Sequence, residues 1–292
     1  VLNIAGALDN GGGSIDATGV MQLDARNSLD NSGGTLGVDT LQVQGEALRN
    51  VGGTLQVQGA ASAQVQQLDN SGGRMTLTQT FGLQAQSVLN RGGSIAHGGS
   101  AATQWWAGTL DNSGGSIASN ASSLGLLGAT LINAGGSISH AGSAGLQIQA
   151  GQLLGSKGAI ATAGDIVLQL GHADHRQAQL IANQITLDAA AFDNRGGSVV
   201  ATGQQANLLR VEDHLDNGEG GTLASNGDLL IRTALLGNAQ GTVQQAGAGT
   251  LRIEAAELQG RGGTLLSNGS LLLQGDSAQL AGGTTAAQRI DI

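Results

Sequence analysis

Hydrophobic and polar residues alternate in short stretches along this chain, and the stretches return about every 20 residues. Residues 41–44 read Leu-Gln-Val-Gln, and their counterparts include residues 146–149 and 251–254. Alternation with a period of two is typical of a β-strand with one buried face. Gly-Gly pairs and Asn-Gly or Ser-Gly steps, which favour turns, separate the stretches. No segment carries a sustained helical stripe, so the pattern predicts an all-β fold.

A second stretch, residues 29–36 with the sequence Leu-Asp-Asn-Ser-Gly-Gly-Thr-Leu, marks each repeat. Such a period, without two-residue hairpin turns, predicts a solenoid in which each repeat forms one coil and the coils stack in parallel. Counting one apolar anchor per coil, with Leu170, Leu235 and Leu280 among them, predicts a parallel β-helix of about 13–14 coils. Residues 1–292 are expected to form a single repeat domain, with an irregular coil near residues 170–180.

The Asn of each repeat is predicted to face inward. Neighbours in an extended chain face opposite sides, so an inward Leu29 places Asp30 outward and Asn31 at an inward corner. Stacked Asn side chains can hydrogen-bond along the axis as an amide ladder. The column should lapse at Gly155, Gly237 and Gly260. The predicted ladder residues are Asn10, Asn31, Asn50, Asn70, Asn90, Asn112, Asn133, Asn194 and Asn217.

The recurring element resembles the haemagglutinin repeat of filamentous haemagglutinins and of contact-dependent growth inhibition exoproteins of Gram-negative bacteria. The resemblance runs from Leu8 to about Thr284, and Asn-x-Gly-Gly recurs intact eight times. It implies a right-handed parallel β-helix, exported by two-partner secretion through an outer-membrane pore. It also implies long filaments that hold adhesive or toxic segments away from the cell. The chain would then be an excerpt of a longer filament.

Composition narrows the possible functions. The chain has 51 Gly, no Pro or Cys, and 1 % aromatic residues, so its core must be aliphatic. A net charge of -9, with 12 scattered basic residues, argues against nucleic acid as a partner. No run approaches the ~20 apolar residues of a transmembrane segment. The calcium-binding nonapeptide is absent, and neither a metal nor another cofactor is expected.

The one cluster of residue types suited to chemistry lies in the irregular coil: His172, Asp174, His175 and Arg176. A metal site or an acid/base site is one interpretation. The other is a solvated loop that interrupts the coil. His97 and His140 share one register with Ser119 between them, and they are expected at the surface.

Trp105 and Trp106 are adjacent, so in a strand one indole should face the core and the other the solvent. An outward indole could stack on a sugar or on a protein partner, or could pack over its own coil.

The expected function is that of a structural stalk or adhesive segment of a large secreted surface exoprotein, without catalysis. Its expected partners are the outer-membrane secretion pore and a host or target-cell receptor or glycan. Two alternatives stay open. One is a receptor-binding or glycan-binding segment of the same filament, which could use Trp105 or Trp106, or else His172, Asp174, His175 and Arg176. The other is a carbohydrate-active β-helix enzyme working at residues 172–176.

Overall fold

The computed structural model describes the backbone of residues 2–4 and 6–292, and the side chains of these residues except 2, 3, 18 and 22–27. Within these ranges the chain is all β, as predicted, and contains strands but no helix. The strands are β1 Leu2–Ile4, β2 Leu8–Asp9, β3 Ser14–Asp30, β4 Thr35–Arg49, β5 Thr54–Val57, β6 Ala61–Asp69, β7 Arg74–Leu77, β8 Phe81–Leu89, β9 Ser94–His97, β10 Thr103–Asp111, β11 Ser116–Ser119, β12 Ser123–Ile132, β13 Ser137–His140, β14 Gly145–Leu154, β15 Ala159–Thr162, β16 Ile166–Asp174, β17 Gln179–Ala182, β18 Ile185–Asp193, β19 Ser198–Ala201, β20 Asn207–Asp216, β21 Thr222–Ser225, β22 Leu229–Gly237, β23 Thr242–Gln245, β24 Thr250–Gln259, β25 Thr264–Ser267, β26 Ser270–Gln274, β27 Ser277–Gln279, β28 Thr284–Ala286 and β29 Arg289–Asp291.

The chain divides into two compact units, residues 1–149 and 150–292. In each unit a strand pairs in parallel with the strand one coil further on. In the first unit β5 pairs with β7 and β7 with β9, so that Leu55, Met75 and Ile95 stack in one inner column. In the second unit β19 pairs with β21 and β21 with β23. This parallel solenoid with a repeat of about 20 residues confirms the predicted fold class. That residues 1–292 form a single domain stays a prediction.

One tight turn per coil marks the repeat. The first unit has seven such turns, in each of which a backbone N–H donates a hydrogen bond to the carbonyl three residues earlier. The first of these bonds runs from Gly13 to Asn10, and the last runs from Gly136 to Asn133. The second unit has seven more of these turns, the first with a bond from Gly158 to Gly155 and the last with a bond from Gly283 to Leu280. The described residues therefore contain fourteen such turns, consistent with the predicted 13–14 coils.

The core follows from the alternation of the long strands. In β6 the buried residues are Ala61, Ala63, Val65 and Leu68, while Ser62 and Gln64 between them face solvent. Side chains of an extended strand point alternately to opposite faces, so every second residue enters the core. The same pattern recurs in β22. Each coil thus contributes a narrow aliphatic layer that only its neighbours can cover.

Three of the residues predicted as core anchors are wrong, because another residue one to three positions away takes the anchor position in the stack. In β22 the core anchor is Leu236, which is 0 % exposed, and not Leu235. In β16 the residue that pairs with Phe192 is Ala173, three positions after Leu170.

At the last repeat, Ala278 pairs with the anchor Leu258, while Leu280 takes the corner position. In these coils two or more apolar residues lie close together, and sequence alone does not choose between them.

The predicted irregular coil near residues 170–180 is also wrong. Residues Ile166–Asp174 and Gln179–Ala182 form two ordinary strands. Between them the N–H of Ala178 bonds the carbonyl of His175 over 3.2 Å, which is the same turn as in the other coils. The polar residues there are accommodated without a protruding loop.

Candidate functional site

The inner corner of the first unit is occupied by a ladder of Asn side chains. From Asn10 to Asn112, each Nδ2 donates to Oδ1 of the Asn one coil further on, over 2.7–2.8 Å. Nδ2 also donates to backbone carbonyls, as from Asn31 to Thr54 over 2.9 Å. Asn31 and Asn70 are both 0 % exposed. These buried amides are therefore satisfied along the axis, and each ladder bond joins two successive coils.

The glycines of the motif make room for the ladder. Gly33 has φ of +64°, a conformation that residues with a side chain rarely adopt. A Cβ on Gly34 would clash with the carbonyl oxygen of Asn10 and with the side chain of Asn31. The sequence Asn-x-Gly-Gly therefore turns the chain while the amide stays in the corner.

The ladder of the second unit is longer than the sequence predicts. Asn194 donates to Asn217 over 2.7 Å, and Asn217 donates to Asn238 over 2.8 Å. The predicted lapse at Gly237 is wrong, because the buried anchor is Leu236 and the corner falls on Asn238. Gly155 and Gly260 do occupy corners, and neither has a side chain to contribute.

The corner of the coil before Asn194 is occupied by His175. Its Nδ1 lies 2.7 Å from Oδ1 of Asn194, and its side chain is almost fully buried. Because an amide oxygen only accepts, Nδ1 of His175 carries the proton in this bond. The ring stacks on Phe192 with centroids 5.5 Å apart. Burial lowers the pKa of His175 below its usual value, although the bond to Asn194 acts in the opposite direction.

The four residues suggested as a site do not converge. His175 faces the core, whereas His172, Asp174 and Arg176 lie on the outer face. Arg176 donates to its neighbour Asp174 over 2.8 Å, and this hydrogen bond lowers the pKa of the Asp174 carboxyl. The interpretation of this stretch as a solvated loop is wrong for His175, whose imidazole belongs to the ladder. The exposed acid and base are already paired with each other.

That ion pair belongs to an outer column of alternating charges. Arg176 lies 3.7 Å from Asp193, and Arg195 contacts Asp193 over 2.7 Å and Asp216 over 3.5 Å. Burial alone would raise the pKa of Asp193, but the hydrogen bond and charge of Arg195 outweigh it and lower that pKa. Exposed pairs of this kind contribute about 0–1 kcal/mol each. They fit a structural surface better than an acid/base site.

The two tryptophans face opposite sides of β10. Trp105 is 2 % exposed, packs edge-to-face on Phe81, and donates its Nε1–H to the carbonyl of Phe81 over 3.2 Å. Trp106 is 39 % exposed and is paired in register with Gln84 of β8. Trp106 is thus the indole available to a partner.

Comparison with known families decides the classification. A model of the haemagglutinin repeat matches residues 100–154, 143–208, 180–218, 204–252 and 246–291. The chain belongs to the haemagglutinin repeat family. The resemblance drawn from the Asn-x-Gly-Gly motif is therefore confirmed.

One curated relative of this haemagglutinin repeat chain is Toxin CdiA of Yersinia pestis. The two are 38 % identical over 71 residues, which make up 24 % of this chain and 2 % of the relative. The matched stretch is thus a small part of a much longer protein. No solved structure matches the chain.

In each unit several of the short strands end in a buried polar residue. His97 Nδ1 lies 2.9 Å from Oγ of Ser119, and His140 Nε2 lies 2.8 Å from the carbonyl oxygen of Ala121. In the second unit Ser267 bonds Gln245 over 3.1 Å.

The expectation that His97 and His140 are surface residues is wrong, since both are buried. The sequence carried a signal for this: each lies two positions after an inward residue, Ile95 or Ile138, and therefore on the same strand face.

Two further observations concern ligands and membranes. Within the part of the chain that the structure describes, no three His, Cys, Asp or Glu side chains come together in a way that could hold a metal ion. Over the same residues, no helix is long and apolar enough to cross a membrane.

Proposed function

We propose that this chain is a structural stalk and adhesive segment of a large secreted surface exoprotein of a Gram-negative bacterium. The observation that supports this most directly is the buried ladder. The same Asn bond joins successive coils repeatedly in the first unit, and the Asn194 column does so in the second. A chain whose recurring motif residues bond each coil to the next is suited to form a long, stiff stalk.

The stacking also explains why such a segment can be long. Each parallel strand inside a stack has both edges paired, so no free edge invites pairing with another chain. Stability in such repeats is approximately a sum over coils and their interfaces. Length can therefore grow by adding coils without a new core.

The comparisons support export as part of this proposal. Two-partner secretion through an outer-membrane pore is the route implied by the haemagglutinin repeat. The name of the relative, Toxin CdiA, favours a filament that delivers a toxin, and the name of the repeat favours an adhesin. In either case the stalk would present another segment to a target cell.

The test is a pair of deletions in the full-length protein that carries this chain. Removing residues 195–238 joins Asn194 to Ala239, deletes two coils and keeps the corner register. Surface display and target-cell adhesion or growth inhibition should persist. Removing residues 195–226 instead ends the deletion between corners and should abolish display, because strand faces and turns no longer match their neighbours.

The stalk proposal fails if the in-register deletion leaves display intact but abolishes adhesion and inhibition. That result would assign a dedicated site to the second unit. Cleavage of a polysaccharide by the purified chain, lost on changing His172 and Arg176 to Ala, would favour the enzyme alternative.

A further inference from the structure

The first unit carries two open depressions side by side, which share a wall of glutamine side chains. Their volumes are about 630 Å³ and about 510 Å³, and the shared wall consists of Gln44, Gln64 and Gln84. Trp106 lines the first depression and Gly82 lines the second. We call this surface the glutamine groove. Its defining residues are Gln42, Gln44, Gln64, Gln84, Gln104 and Trp106, all of them exposed.

Coil stacking builds one wall of the groove. Gln44 pairs in register with Gln64, Gln64 with Gln84, and Gln84 with Trp106. Four residues at the usual strand spacing form a row ~14 Å long. Three amides and one indole therefore point the same way at regular intervals, which suits a ligand that itself repeats.

Small residues make the floor of the second depression. In the neighbouring outward column Gln42 pairs with Ser62, and Ser62 pairs with Gly82. Gln104 follows on the next coil, immediately before Trp105. A Cβ on Gly82 would meet nothing within 4 Å, so the space above it is open. Two short residues between two long ones leave a depression.

The groove is not a requirement of the repeat. In the second unit the corresponding fourth position of the long strands carries Gln169, Asp188, Arg210 and Arg232 in successive register. Arg210 lies 3.8 Å from Asp188, and Arg232 lies 2.6 Å from Glu254 of the next coil. That column is filled by ion pairs. The run of uncharged amides is particular to the coils of residues 42–106.

The chemistry of the lining points to one class of ligand. A carboxamide both donates and accepts hydrogen bonds, as a sugar hydroxyl does. An exposed indole offers an apolar face with one polar edge, on which a sugar ring can stack. Among the lining residues the sole charge is Glu46, and no Lys or Arg is present to pair with sulfate, phosphate or carboxylate. The surface therefore disfavours an anionic glycan.

We propose that the glutamine groove binds a neutral oligosaccharide, with one sugar ring stacked on Trp106 and hydroxyl groups bonded to the amides of Gln64 and Gln84. This inference deepens the adhesive part of the proposed function. Its test lies entirely in the first unit, whereas the stalk is tested by deletions in the second, so either can fail without the other.

The experiment is a glycan array probed with the full 292-residue chain, followed by titration of its strongest neutral oligosaccharide by isothermal titration calorimetry, which does not depend on Trp106. Trp106→Ala should weaken binding about tenfold or more, as loss of one stacked ring and its contacts would. Gln64→Ala with Gln84→Ala should weaken it by a similar factor.

Gly82→Leu should weaken binding about tenfold by filling the depression beside the amides of Gln64 and Gln84, at a position where an added Cβ meets no atom within 4 Å. Gln169→Ala, at the corresponding position of the second unit, is the matched control and should leave binding unchanged. Circular dichroism of each variant checks that the coil is intact.

Three results would overturn the proposal. One is the absence of binding to every neutral glycan on the array. Another is a preference for sulfated or sialylated glycans that survives Trp106→Ala and Gly82→Leu. The third is binding to target cells that is removed by protease treatment of the cells but not by periodate oxidation of their glycans, which would make the ligand a protein.

Discussion

At the residue scale, an Asn inside the ladder forms hydrogen bonds to the coils on both sides of its own coil. Asn70 accepts from Asn50 over 2.7 Å, donates to Asn90 over 2.7 Å, and donates to the carbonyl of Ser94 over 3.1 Å. Its neighbour Asp69 lies on the outer face, where Oδ1 accepts from the N–H of Ser71 over 2.9 Å. One corner residue therefore carries far more buried polar contact than the residue beside it.

Replacing Asn70 by Ala should consequently destabilise the chain more than replacing Asp69 by Ala. Loss of the Asn70 amide leaves buried partners on two neighbouring coils unsatisfied, at about 1–3 kcal/mol. Loss of the Asp69 carboxylate affects a group that water can replace, at about 0.5 kcal/mol. Urea melts of the two variants measure the difference. Equal midpoints would mean that the ladder adds nothing beyond the backbone pairing.

His175 makes stability depend on pH. Burial lowers its pKa in the folded chain, while the unfolded chain keeps the ordinary His pKa of about 6.5. Below that pH the unfolded chain binds more protons than the folded one, so stability is full above about pH 6.5 and falls on acidification. Burial also lowers the pKa of His97 and His140, which act in the same direction.

The check is a set of urea melts at pH 7.5 and 5.5 on the natural chain and on His175→Asn. The natural chain should lose stability at the lower pH. The Asn variant restores the ladder amide without a titrating group, so its loss should be smaller. An identical pH dependence in both chains would show that the pKa of His175 does not differ between the folded and unfolded states.

At the element scale, the sequence predicts the strands well and the register less well. Short strands of alternating residues between Gly-rich turns are visible because the alternation with a period of two and the spacing of about 20 residues recur in most coils. Register depends on single positions. In residues 235–238, Leu-Leu-Gly-Asn, either Leu could be the inward one, and a slip by one residue moves the corner from Gly237 to Asn238.

The same limit applies to residues that replace the motif Asn. His175 fills the corner through a bond to Asn194 that only three-dimensional stacking reveals. The largely polar stretch from His172 to Gln177 predicts a loop, because no Asn-x-Gly-Gly marks its turn. Trp106 was identifiable as one of an adjacent pair with opposite orientations. The groove beside it was not, because it requires residues from four coils to line up in one register.

At the scale of the whole molecule, the repeat runs from Leu8 to about Thr284 without a linker, which predicts one cooperative domain. A single coil cannot bury its own apolar face, so each coil depends on its neighbours for stability. Such dependence, continued along the chain, should make unfolding a single event. Long repeat arrays can instead lose cooperativity, and then different parts of the chain unfold at different denaturant concentrations.

The position of the two tryptophans allows this to be measured. Trp105 and Trp106 both lie in the first unit, so tryptophan fluorescence follows that unit, while circular dichroism follows the whole chain. The two urea transitions should coincide. Asn217→Ala, which breaks the ladder of the second unit, should lower both midpoints equally, because a cooperative domain shares the loss. A fluorescence midpoint unmoved by Asn217→Ala, beside a lowered midpoint in circular dichroism, would instead show two domains that unfold independently.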